Sequence, residues 1–206
     1  MFITLEGPEG SGKSTQLRQL TKRLLALGYP VVSTREPGGT PIGDQIRQVL
    51  MSLENKELHP RTEILLFLAA RAQLVEQVIK PALRDGKIVL CDRYGDSTIA
   101  YQGYGHGLDL DQLRQMLNFA TDHLKPDLTI LMDLDVKTGL RRKKVEDEWN
   151  RLDAYEVAFH ERVREGYHEL ARAEPERWRI VDAAQGIDTV QEELFQLILN
   201  ALENNK

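Results

Sequence analysis

The chain has 206 residues, 41% of them hydrophobic, and a net charge of −5, which suits one globular domain with a sizeable core and argues against nucleic acid as a partner. Its longest apolar run, LLFLAA at 65–70, is far too short to span a membrane, and no basic or cleavable leader pattern precedes FITLEG. A lone cysteine, Cys91, excludes an internal disulfide framework, so the expectation is a soluble cytoplasmic protein with Cys91 as a buried structural thiol.

In chain order, the apolar run FITLE (2–6) predicts the first strand. Leu17, Leu20, Leu24 and Leu27 then mark one helix face, with Gly28 placed as its C-terminal cap. YPVVST (29–34) predicts the second strand. Thr40 and Pro41 read as the N-cap and first position of a helix backed by Ile42, Ile46 and Val49. Residues 61–84 predict a long apolar helix, kinked near Pro81, and KIVLC (87–91) the third strand. Asp109 with Gln112 resembles a capping box before Leu113, Met116 and Leu117. LTILMD (128–133) predicts the fourth strand, and a helix over 154–173 turns Tyr155, Phe159, Val163 and Leu170 inward. WRIVD (178–182) predicts the fifth strand. Asp188 with Gln191 repeats the capping signal before Leu194, Leu197 and Ile198.

Strands alternating with helices imply a parallel sheet covered on both faces. Ligands of such sheets bind outside the carboxyl ends of the strands. That rule puts Glu6–Thr15, Thr34–Gly39, Asp92–Tyr94, Asp133–Asp135 and the turn after WRIVD, Ala183–Gln185, on one rim.

On that rim GPEGSGKS, Gly7 to Ser14, matches GxxxxGK[ST] between a strand and a helix, the context that makes the pattern specific. Its glycines let backbone N–H groups converge on phosphate, and the helix N-terminus adds partial positive charge. Lys13 is expected at the β- and γ-phosphates, with Ser14 on Mg²⁺. Asp92 closes an apolar strand and fits an acid of the metal shell, the alternative being a helix cap. The donor is therefore a nucleoside triphosphate. A guanine-reading NKxD element does not occur, and a helicase or transporter ATPase would need partner domains. A small kinase needs a second anion site and a cover against water, and the chain offers both.

Four blocks, EGPEGSGKST (6–15), TREPGGTPIG (34–43), LLFLAARAQ (65–73) and CDRYGDSTIAYQG (91–103), resemble bacterial thymidylate kinases in order and separation, over essentially the whole chain. The resemblance implies a three-layer α/β/α P-loop kinase fold with a central five-stranded parallel sheet and a short flexible lid. It implies an ATP site at Gly7, Pro8, Glu9, Gly10, Ser11, Gly12, Lys13, Ser14 and Thr15. Phe67 and Arg71 share a helix face; in the family the matching residues stack on thymine and hydrogen-bond a base carbonyl. Arg93 resembles the arginine that grips the acceptor phosphate, with Arg47 as a helper near that phosphate or the base and Glu36 ordering the site. Thr98, Tyr101 and Gln102 correspond to contacts with base and sugar, Tyr101 favouring deoxyribose. Two positions depart from the family pattern: GHG at Gly105, His106 and Gly107 where GRG is common, and Gly95 where an apolar residue is common.

None of the variable loop positions Pro8, Glu9, Gly10 and Ser11 is basic, yet the transferring phosphoryl group needs positive charge. Family members of this kind supply it from a lid, here LRRKKVEDEWNRLD, 140–153, in which Glu146, Asp147 and Glu148 follow Arg141, Arg142, Lys143 and Lys144. Arg151 in NRLD best matches the lid motif, Arg142 is the second choice, and Arg141 is expected against adenine. Glu9 is expected to face the acceptor, taking a hydrogen bond from the 3′-hydroxyl or holding a water on Mg²⁺. The whole reading is transfer of the γ-phosphoryl of MgATP to dTMP, giving dTDP for dTTP synthesis by a homodimer without membrane or nucleic-acid partners. The alternatives are a kinase of another pyrimidine monophosphate and a P-loop switch or regulatory NTPase.

Overall fold

Five parallel strands run β1 Phe2–Glu6, β2 Val31–Arg35, β3 Ile88–Asp92, β4 Leu128–Asp133 and β5 Trp178–Asp182, in the sheet order β2-β3-β1-β4-β5. The computed structural model describes residues 1–145 and 149–204, so Glu146, Asp147 and Glu148 lie outside the described residues. The three inner strands are buried almost throughout, which is why their sequences are continuous apolar runs rather than alternating ones. Alternation survives in the packing. Ile3, Leu5, Leu90 and Ile130 enter one core with Leu20, Leu24 and Leu194, while Phe2, Val89 and Cys91 point to the other face. Helices α1 Lys13–Ala26 and α9 Ile187–Asn204 cover the first face. On the second lie α3 Pro60–Leu74, α6 Leu110–Thr121 and α8 Val157–Ala173, while α2 Pro41–Met51 packs on α3. Among the described residues no helix is long and apolar enough to cross a membrane.

Local chemistry explains the helix ends. Gly28 has φ 85° and its N–H bonds to Leu25 O (3.0 Å), while Tyr29 N–H reaches Leu24 O (3.1 Å). This Schellman turn ends α1 at Ala26, so Leu27 falls outside the buried face and is 59% exposed, contrary to the expected stripe. Thr40 caps α2 through Gly43 N–H, and Asp109 caps α6 through Gln112 N–H (2.8 Å). Asp188 does not cap α9: the helix starts at Ile187, Gly186 O accepts from Val190 N–H (3.0 Å), and Asp188 sits in the first turn against the helix dipole. Helix α8 begins only at Val157, leaving Tyr155 in the preceding turn.

The helix expected over 61–84 is interrupted before its proline. A π-helical turn spans Val75–Ile79 between α3 and the short α4, Lys80–Arg84. Pro81 lacks an N–H and its ring crowds the carbonyl one turn back, so the helix widens in the turn ahead of it. A second wide turn, Ile99–Gly105, follows the four-residue helix α5, Gly95–Thr98, and carries Tyr101 and Gln102. The remaining helix is α7, Val136–Val145.

Candidate active site

The carboxyl ends of the strands open into a cleft of about 1240 Å³. Gly7, Gly10 and Gly12 of the phosphate loop all have positive φ, at 139°, 69° and 86°. Side chains are excluded there for a second reason: a Cβ on Gly7 would stand 2.4 Å from Met132 O, and one on Gly10 2.2 Å from Gly139 O. Gly12 leads directly into α1, so the loop aims the helix N-terminus into the cleft.

Lys13 Nζ donates to Gly7 O (3.1 Å), Pro8 O (2.8 Å) and Ser11 Oγ (3.1 Å). Burial and the neighbouring Arg93 push its ammonium down to about 8, against the opposing pull of Glu9, Asp92 and Glu6. A triphosphate needs this cation, so kcat/KM for ATP is expected to fall above pH about 8, roughly tenfold per pH unit. A profile flat beyond that range would show that Lys13 stays charged. Ser14 Oγ donates to Asp92 Oδ2 at 2.5 Å. A hydroxyl and a carboxylate are hard oxygen donors that suit Mg²⁺, which keeps several waters and takes further ligands from phosphate.

Arg93, directly after β3, anchors a network of contacts on the cleft. Its Nη2 donates to Glu9 Oε1 (2.8 Å) and to Tyr101 OH (2.9 Å), and Tyr101 OH donates in turn to Glu9 Oε1 (2.8 Å). Burial opposes ionisation of Glu9, but Arg93, Lys13 and the Tyr101 hydroxyl hold its carboxyl at about 2. The acid in the phosphate loop is therefore offset chiefly by Arg93.

Arg71, 1% exposed, lies between Glu36 Oε2 (Nε at 2.7 Å), Thr98 Oγ1 (2.8 Å) and Tyr94 O (3.0 Å). Those three bonds use three of the five N–H donors of a guanidinium, and Nη2 also stands 2.5 Å from Glu36 Oε2. Phe67, Arg71, Thr98, Tyr101, Gln102 and Glu36 all line the cleft, as does Arg47, which donates to Pro37 O (3.0 Å). Glu36–Pro37 is a cis peptide.

The thymidylate kinase family model matches residues 5–194. The chain belongs to the thymidylate kinase family. It is 52% identical to the thymidylate kinase of Roseiflexus castenholzii over 96% of this chain and 92% of that protein. It is 48% identical to that of Deinococcus radiodurans, over 96% of each. The crystal structure of thymidylate kinase from Ehrlichia chaffeensis superposes with a TM-score of 0.77 at 36% identity, covering 96% of this chain and 98% of that one.

Within this family frame the lid residues separate. Arg142 Nη1 donates to Ala183 O (3.2 Å) and approaches Gly10 O (3.5 Å), bridging the phosphate loop and the turn after β5. Arg141, expected against adenine, is exposed. Arg151 is not among the residues that line the cleft. It is 5% exposed, with Nε on Leu50 O (2.9 Å), Nη1 on Tyr155 OH (2.7 Å) and Nη2 on Glu63 Oε2 (2.5 Å). Glu63 has no exposed surface and a buried carboxylate demands a partner, which outcompetes a role in the cleft. Lys143, by contrast, lines the cleft and lies near enough to help depress the Glu9 carboxyl.

Sequence reasoning missed Glu6, Ser97 and Tyr167. Arg93 Nη1 donates to Ser97 Oγ (3.2 Å) and Tyr167 OH (2.9 Å), and both hydroxyls donate to Glu6 Oε2, at 2.6 and 3.0 Å. The other Glu6 oxygen accepts from Tyr94 N–H at 2.7 Å. Burial and Asp96 push the Glu6 carboxyl up to about 7. A glutamate ending a fully buried strand was the available signal. Gly139 of α7 was also missed; the place of its absent Cβ is 2.1 Å from Glu9 O.

Proposed function

We propose that this chain transfers the γ-phosphoryl group of MgATP to dTMP, giving dTDP for dTTP synthesis. One observation carries the reading: the donor loop and the acceptor arginine meet in a single cleft, joined by the Glu9–Arg93 pair at 2.8 Å. Gly7 to Thr15 bind the triphosphate, with Lys13 on its outer phosphates and Arg142 on the adenine side. Ser14 and Asp92 would hold Mg²⁺, which supplies charge neutralisation between the phosphates. Arg93 grips the acceptor phosphate in a fork suited to two oxygens, with Arg47 beside it and Glu36 fixing Arg71. Phe67 offers an aromatic face to the base, and Arg71 offers N–H donors to a base carbonyl. Tyr101 crowds the 2′ position of the sugar and so favours deoxyribose. A phosphate monoester is already anionic, so the residues orient and neutralise, and none is needed as a general base.

Segment 140–153 serves as the cover of one P-loop kinase domain: Lys143 before the undescribed residues and Asn150 and Leu152 after them all line the cleft. Lys143 is then the lid cation, and Arg151 the anchor of the lid's far end. The enzyme works in the cytoplasm, to which the buried free thiol of Cys91 is suited. It works as a homodimer, its face marked by the exposed Leu65 on α3 and Phe119 on α6, 58% and 91% exposed.

A coupled assay with ATP and a panel of nucleoside monophosphates is expected to give strong turnover with dTMP. Preference for another pyrimidine would reassign the acceptor, and hydrolysis independent of any acceptor would indicate a switch. Sedimentation of the same enzyme is expected to give twice the chain mass; a monomer there would remove the dimer.

A further inference from the structure

Glu63 stands on α3 at the foot of the base site. Its Oε2 accepts from Arg151 Nη2 (2.5 Å) and Tyr155 OH (3.2 Å). Its Oε1 accepts from Gln102 Nε2 at 2.7 Å, with His106 Nε2 at 3.4 Å. Burial opposes its ionisation, yet His106, Gln102 and Arg151 together hold the carboxyl at about 2. Glu63 is therefore an acceptor at both oxygens, with no proton to offer.

That fact has a consequence for Gln102, whose amide has one donating and one accepting end. The donating end must face Glu63. The accepting end, Oε1, takes no hydrogen bond from the described residues, and Gln102 lines the cleft with Phe67, Arg71 and Thr98.

We propose that Glu63 is a specificity-determining positioning residue: by capturing the donor end of Gln102 it turns the acceptor end toward the base. The site then takes a pyrimidine carrying N–H at N3, as thymine and uracil do, and rejects cytosine, whose N3 is a bare acceptor. Arg71 acts in the same sense, because guanidinium N–H groups suit a carbonyl at position 4 and oppose an amino group there. The inference rests on the kinase reading above and adds the origin of its base selectivity.

The arrangement makes Glu63→Gln informative. Arg151 and Tyr155 both require an acceptor at the Oε2 position, so the introduced amide must place its oxygen there and its NH₂ at the Oε1 position. That NH₂ demands an acceptor from Gln102, which has to rotate and present its own NH₂ to the base. The readout is kcat/KM for dTMP and for dCMP on wild type and variant. The dTMP/dCMP ratio is expected to fall at least about a hundredfold in Glu63→Gln, because a buried donor facing a donor is rejected strongly. Equal losses on both substrates, with the ratio unchanged within about threefold, would mean that Glu63 only supports the fold and would overturn the proposal.

If Glu63→Gln does not fold, Gln102→Met keeps the Glu63–Arg151 pair and removes the acceptor end. Its ratio is expected to fall by a similar factor without any gain on dCMP, and an unchanged ratio overturns the proposal equally. Wild-type enzyme that turns over no dTMP overturns the kinase reading and the inference with it; an unchanged ratio on an active enzyme overturns the inference alone.

Discussion

Arg93→Ala is expected to lower kcat/KM for dTMP by about 10³-fold, about 4 kcal/mol of transition-state stabilisation, with KM for ATP changed little. The reason is the number of roles converging on one guanidinium. It is the cation held at the meeting of the phosphate loop and the acceptor side, 2.8 Å from Glu9, and two hydroxyls backed by Glu6 aim its second nitrogen. Removing it would take away the proposed fork for the acceptor phosphate and leave Glu9 without its nearest cation, with only Lys13, Lys143 and the Tyr101 hydroxyl to offset its charge beside the incoming anion. Arg93→Lys restores the charge without the fork and should recover about tenfold. Values of kcat/KM for dTMP within about threefold of wild type would remove Arg93 from the acceptor site.

The same residue carries backbone strain, which separates its catalytic role from its cost to the fold. Arg93 has φ 67°, in the left-handed region, at roughly 1–2 kcal/mol for a residue with a side chain. The conformation is held from β1: Arg93 N–H donates to Leu5 O (3.0 Å) and Tyr94 N–H to Glu6 Oε1 (2.7 Å). Arg93→Gly relieves that strain while removing the guanidinium, so it should unfold at higher denaturant than Arg93→Ala and be just as inactive. The difference between the two midpoints reads the strain less the extra unfolded-state entropy of glycine, about 0.4–1 kcal/mol.

How much of this was legible in sequence depended on whether a residue's role is set locally. The strands were, because inner parallel strands are apolar throughout and punctuated by glycine or charge. The Thr40 and Asp109 caps were, because a cap is a contact over three residues. The loop between β1 and α1 was, because its glycines, Lys13 and Ser14 lie within a few residues of one another and fix its shape locally. Asp188 failed because a cap pattern cannot show that the helix already starts at Ile187 with Gly186 accepting the bond. Glu6 and Glu63 were invisible as functional groups because each matters only through partners far along the chain, Tyr167 for one and Gln102 and Arg151 for the other. A charge run in sequence reveals which residues are basic, not which of them a buried acid has claimed.

Arg151 is the test of that last distinction. Arg151→Ala leaves Glu63, with no exposed surface, without its cation, and removing one partner of a buried pair costs about 3–5 kcal/mol. The loss should appear as a lower denaturant midpoint with an unchanged slope. The pH dependence gives a second reading. The Glu63 carboxyl is held at about 2 in the folded chain against an ordinary value of 4.5. Its contribution is therefore fully present above the ordinary value and is lost as pH falls toward the folded one. Without Arg151 the folded value rises, so the variant and wild type should differ most near neutral pH and converge in acid. Replacing both residues by leucine removes the unpaired charge and should recover at least about 2 kcal/mol of the loss, which no variant of a purely catalytic arginine would do. Arg142→Ala should behave oppositely, with stability retained and KM for ATP raised, since its contacts are the carbonyls of Gly10 and Ala183. If instead Arg151→Ala keeps its wild-type midpoint while turnover falls tenfold or more, the buried pair is not what Arg151 is for, and the lid-cation role expected from NRLD is the correct one.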